Sequence, residues 1–171
     1  AFYIAIGCQG GRLPGVPGDK APGTEIAVSF LEKALRDTSR TLEGGVVVIG
    51  GGNVAIDCAR TAHRLDAENV TMYCLESRDT MPASLQEIEE AEGEGVVIRD
   101  GWGPKEVLTD ADGHVCGLVL KRCLSTIDPE TKAFSPKYDE NDTITVPADD
   151  IVFAIGQAIE WGGLLEGTGV T

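Results

Sequence analysis

Positive charge is scarce in this chain. Lysine and arginine number 14 against 28 acidic residues, giving a formal net charge of −14 over 171 residues. That balance excludes nucleic acid and anionic membrane surfaces as expected partners, because phosphate backbones are bound by clustered Lys and Arg. Long apolar runs are missing as well. No stretch approaches the ~20 residues that cross a bilayer, and the chain does not start on a charged segment followed by an apolar one. Cysteine occurs five times (Cys8, Cys58, Cys74, Cys116, Cys123) without any C-x-x-C spacing. A metal centre or redox dithiol is therefore not expected, and a reduced, cytoplasmic protein is. Cys58 and Cys74 stand inside apolar patterns, where a thiol behaves as a small hydrophobe. Histidine occurs twice. His63 falls on a helix flank and His114 follows a turn, so both are expected at the surface rather than in chemistry. The D-A-D-G at 110–113 is not a calcium loop, because Lys121 occupies the position of its terminal acid.

What is present, 42% hydrophobic and 25% charged residues, suits one compact α/β domain. AFYIAIG at the start reads as a short buried strand, and the Gly/Pro-rich passage CQGGRLPGVPGDKAPG reads as a connector. TEIAVSFLEKALRD reads as a helix with Ile26, Phe30 and Ala34 on one face. Val46 to Ile49 form the continuous apolar run of a parallel strand covered on both faces. NVAIDCARTAHRL then resumes with helical period, with Ala55 and Ala59 small enough for close packing on a sheet. NVTMYCL supplies a second strand, so strand, helix and strand form a βαβ unit with an expected right-handed crossover. A helix from Ser84 to about Glu94 follows, its acids EIEEAEGEG read as a solvated face, and then a strand GVVIRDG. Around Asp112-Gly113 two extended runs read as a hairpin. ITV at 144–146 adds a third antiparallel strand, and DDIVFAIGQA returns to the buried style of the opening.

Gly50, Gly52 and Ala55 make G-x-G-x-x-A between a strand and a helix, where the pattern has a mechanism. Gly50 permits the tight turn, Gly52 lets backbone approach a diphosphate, and Ala55 allows close helix–strand packing. The amides and partial positive charge of the helix start bind the anion, so a basic patch is not required. Glu76 lies 24 residues beyond Gly52, near the position where a carboxylate accepts hydrogen bonds from the adenosine ribose. It would oppose a 2′-phosphate by ~1–3 kcal/mol, roughly ten- to a hundredfold. Arg78 either pairs with Glu76 or reaches a phosphate itself. Asp57 either faces the nicotinamide end or is a helix-start acid and partner for Arg60.

GGVVVIGGGNVAIDCARTAHRLDAENVT followed by SRDTMPA resembles the pyridine-nucleotide domain of the glutamate synthase small subunit and its relatives, flavin-dependent NAD(P)H oxidoreductases with two dinucleotide domains. AIGCQGGRLPGVPG and ADDIVFAIGQA resemble the strands that join this domain to an FAD domain. The resemblance implies a Rossmann-like parallel sheet with flanking helices and an antiparallel three-stranded meander over roughly 104–147. It also implies a core at about 24–147, with 1–23 and 148–171 leading to an FAD domain that this chain does not contain. Gly50, Gly51, Gly52, Asn53 and Val54 match the diphosphate loop, and Asp57 matches an acid near the nicotinamide carboxamide. Gly7 and Gly156 match glycines near the cofactor crossing, while Ser77 and Arg78 stand beside Glu76 in the matching SRD. NADPH-using members carry arginines where Leu75 and Glu76 stand, which favours NAD(H) over NADP(H) here, with Arg78 keeping NADPH open. The expected role is to position NADH for hydride transfer to FAD held by another domain, an iron–sulfur domain or large subunit being a further partner. No side chain of this chain is expected to act as acid or base. The competing classes are a nucleotide-binding regulatory module and an S-adenosylmethionine methyltransferase; the small residue at position 55 rather than 54 argues against the latter.

Overall fold

The computed structural model describes residues 3–169. The elements in order are β1 (Gly10–Gly11), β2 (Thr24–Ile26), α1 (Ala27–Arg36), β3 (Gly45–Ile49), α2 (Asn53–Arg64), β4 (Asn69–Tyr73) and α3 (Leu85–Gly93). They continue with β5 (Val97–Arg99), β6 (Trp102–Thr109), β7 (Val115–Ile127), β8 (Phe134–Pro147), β9 (Asp150–Phe153) and β10 (Gln157–Ala158). Five strands form one parallel sheet in the order β2-β9-β3-β4-β5, and β6-β7-β8 form the antiparallel meander. No helix among the described residues is long and apolar enough to cross a membrane.

Side chains of a strand alternate between faces, and β3 feeds two separate cores in that way. Val46 and Val48 join Val70, Met72 and Val152 beneath the helices, where Phe30 of α1 and Ala55, Ala59 and Ala62 of α2 are also buried. Val47 and Ile49 point the other way. With Tyr73, Ile151 and Phe153 they pack against Val107, Val115, Leu118 and Leu120 of the meander. The parallel sheet is thus covered by helices on one face and by the meander on the other. This explains why its strands read as unbroken apolar runs rather than alternating ones.

Several expectations need correction. Thr24–Ile26 is not the first turn of a helix but an edge strand paired with Ile151–Phe153. The partner is distant in sequence, so local periodicity did not register it, although Thr and Ile favour extended backbone. AFYIAIG is not a strand over its described part: residues 3–9 have no regular structure, and Tyr3 is 94% exposed, with no sheet neighbour to pair it. Residues 1 and 2 of that run lie outside the described residues. Ile151–Phe153, expected as a buried strand, is one and sits inside the sheet between β2 and β3. The connecting segments nevertheless meet, through antiparallel pairing of Gly10–Gly11 with Gln157–Ala158. The third meander strand is far longer than ITV, because its polar part is held by pairing with β7 rather than by burial.

Candidate functional site

The glycine turn opens where β3 ends against β9 and β4. Gly50 has φ +149°, and a Cβ there would lie 2.4 Å from the Ala154 carbonyl oxygen. Its N–H donates to the Tyr73 carbonyl at 2.9 Å, so this glycine is required by the fold itself. Gly52 differs. It caps α2 with φ −95° and ψ 174°, and a Cβ built on it would meet nothing within 4 Å. The protein does not fill the space over Gly52, and the first amides of α2 have no intrahelical acceptor. That open cradle at a helix start fits a diphosphate group. The turn is braced from outside: Ala83 N–H donates to the Gly51 carbonyl (3.0 Å), and Ser84 N–H donates to Asn53 Oδ1 (2.9 Å). Ser84 in turn caps α3 by accepting from Glu87 N–H. The brace accounts physically for the D-T-M-P-A-S segment.

Glu76 stands three residues beyond the end of β4. The backbone ladder persists that far, with Trp102 N–H donating to the Cys74 carbonyl (2.8 Å) and Gly101 N–H to the Glu76 carbonyl (3.2 Å). The side chain turns toward the glycine loop, its Oε2 lying 2.8 Å from where a Cβ of Gly51 would be. Glycine at 51 lets the carboxylate approach. Arg78 does not pair with Glu76. Its Nη1 and Nη2 each lie 2.6 Å from a carboxylate oxygen of Glu92 on α3, and its backbone N–H donates to Asp100 Oδ2 at 2.8 Å. Nor is Asp57 the partner of Arg60. Arg60 binds Glu87, Glu90 and Glu94, so the acids of α3 are a docking surface for α2 rather than a merely solvated face.

Gly50, Gly51, Gly52, Asn53, Val54, Glu76 and Gly156 all line one cleft of about 660 Å³ at the carboxyl ends of β3, β4 and β9. Chain paths diverge there, from β3 into α2 and from β9 toward Gly156, which leaves the crevice open. Ser77 lines a neighbouring cleft of about 440 Å³ that shares Leu75 and Glu76 with the first. Gly7, exposed with φ +75°, and Asp57, exposed on α2, line neither cleft.

Residues of the meander escaped the sequence reading. Trp102, Lys121, Phe134, Pro136 and Tyr138 form the far wall of the main cleft. Phe134, Pro136 and Tyr138 recur at the strand period of two in an otherwise polar run, which is the signal that marks a one-sided wall. Lys121 Nζ sits 4.2 Å from the centre of the Tyr138 ring and 2.6 Å from Glu140 Oε1. Burial, assisted by Cys123, Glu140 and, least, Glu76, raises the Tyr138 hydroxyl above its ordinary range. Burial also pushes the thiols of Cys74 and Cys58 up to about 12, so both stay protonated at neutral pH. All five cysteines are free, and no group of three or more His, Cys, Asp or Glu among the described residues is arranged to hold a metal ion.

The family described as pyridine nucleotide-disulphide oxidoreductase matches residues 2–170. The NADP(+)-dependent formate dehydrogenase subunit beta of Moorella thermoacetica is 36% identical over 94% of this chain and 23% of that protein. The glutamate synthase [NADPH] small chain of Escherichia coli (strain K12) is 29% identical over 94% of this chain and 37% of that protein. The chain thus spans well under half the length of these relatives. Mycobacterium tuberculosis FprA in complex with NADPH superposes with a TM-score of 0.75 over 90% of this chain and 49% of that one, at 18% identity, a likeness of fold.

Proposed function

The chain belongs to the pyridine nucleotide-disulphide oxidoreductase family, and on that premise we propose that it is the NADH-holding module of a flavin-dependent oxidoreductase. In this reading the FAD lies on another domain of the parent protein, as the relatives' greater length allows. The observation that carries it is the unfilled space over Gly52 at the start of α2, with the Glu76 carboxylate facing the same loop. When bound, nicotinamide supplies the hydride and the flavin accepts it. This chain's residues bind, orient and exclude water.

Amides of Gly52, Asn53 and Val54 hold the diphosphate, and Glu76 accepts hydrogen bonds from the adenosine ribose. Ala154 and Gly156, which line the same cleft beyond the glycine loop, would hold the nicotinamide end. Phe153, Pro104 and Tyr138 give that cleft an apolar wall. A glutamate at 76 repels a 2′-phosphate, and Arg78 is already occupied by Glu92, which supports NADH over NADPH. The rival, NADPH preference, is favoured by two relatives, an NADP(+)-dependent formate dehydrogenase subunit and a glutamate synthase [NADPH] small chain. Calorimetric titration with both nucleotides at one salt concentration decides between them, repeated on Glu76→Ala. NADH preference that shrinks in the variant supports the proposal, by about tenfold or more. Equal or reversed preference in the wild type makes NADPH the cofactor.

A further inference from the structure

Arg78 is the cation that sequence spacing sets beside Glu76, and both terminal nitrogens of its fork are engaged elsewhere. Both terminal nitrogens meet the two oxygens of Glu92 at 2.6 Å, the parallel geometry by which a guanidinium also grips phosphate. The backbone at 78 is fixed as well, by the 2.8 Å hydrogen bond to Asp100. Residue 77 lines the second cleft, yet the Arg78 side chain turns out of both clefts toward α3. A planar fork cannot serve two oxyanions on one edge.

We propose that Glu92 is a positioning residue for nucleotide choice: by holding Arg78 against α3, it keeps the guanidinium from the 2′ position of the adenosine ribose. This inference rests on the reading of the cleft as a nicotinamide-nucleotide site. Glu76 repels the 2′-phosphate at the site itself, while Glu92 holds away one cation close in sequence, Arg78; Lys121 and Arg122 line the clefts from the meander side. The two acids act on opposite sides of one balance. Both Arg78 and Glu92 are about 40% exposed, so the pair exchanges with solvent and the effect is modest, about two- to fivefold.

The test is a cycle of four proteins: wild type, Glu92→Gln, Arg78→Ala and the double variant, each titrated with NADH and with NADPH. Glu92→Gln is expected to tighten NADPH relative to NADH by about two- to fivefold, and to leave the ratio unmoved once Arg78 is alanine. An unchanged ratio in Glu92→Gln overturns the inference. So does an equal shift in the Arg78→Ala background, which would make Glu92 a diffuse charge rather than a clamp. If the wild type binds neither nucleotide, the functional reading falls together with this one; NADH binding with an unmoved ratio sinks this inference alone.

Discussion

The two faces of the parallel sheet are built by different means. On the helical face, α2 approaches closely because Ala55, Ala59 and Ala62 are small and fully buried, and α3 is fastened to it by charge. On the opposite face the meander contributes large side chains: Leu118 and Leu120 are fully buried against Ile151 and Phe153. One face is closed by helices and tuned by ion pairs, while the other is closed by the antiparallel meander and held by apolar volume. The site lies at the seam. Its glycine loop comes from the first construction and its aromatic wall from the second.

The largest effect should come from the apolar face. Leu118→Ala is expected to cost about 2–5 kcal/mol in urea denaturation, whereas Leu124→Ala on the same strand, 66% exposed, should change stability by no more than ~0.5 kcal/mol. Equal costs would erase the distinction between core and ribbon.

The helical face should instead answer to acid. Hydrogen bonds from Arg60 and Arg64 hold the Glu94 carboxyl at about 2, below its ordinary 4.5. A depressed folded-state value stabilises the protein fully above about pH 4.5 and loses that contribution as pH falls toward 2. Acid titration of stability, read by helical circular dichroism, should therefore fall more steeply in the wild type than in Arg60→Gln across that window. Parallel curves would mean that the ion pairs on α3 do not fasten it.

The smallest effect on stability belongs to one of two glycines within the loop. Gly52→Ala, with open space and φ −95°, should shift the thermal midpoint by little, within ~0.5 kcal/mol. Gly50→Ala places a Cβ against the Ala154 carbonyl and should cost about 2–3 kcal/mol. If both are equally costly, the space over Gly52 is not a ligand's.

Legibility in the sequence follows contiguity. β3, α2 and β4 are contiguous and each carries its own period, so the glycine loop and Glu76 could be placed from the residues alone. β2 was misread because Thr24–Ile26 becomes a strand only when Ile151–Phe153 arrives beside it. Arg78 was assigned two partners and has a third, since nothing in the spacing of residues 78 and 92 tells that α3 folds back over the loop after β4. Tyr138 was missed because its strand is polar and gains its place by pairing with β7.

The most direct test of the central claim is an amide-resolved NMR titration of this chain with NADH. The account predicts that the amides of Gly51, Gly52, Asn53 and Val54 shift first and most, with Glu76 and Gly156 following and the distant turn at Asp128 unmoved. Saturable binding that leaves residues 51–54 unshifted would contradict it.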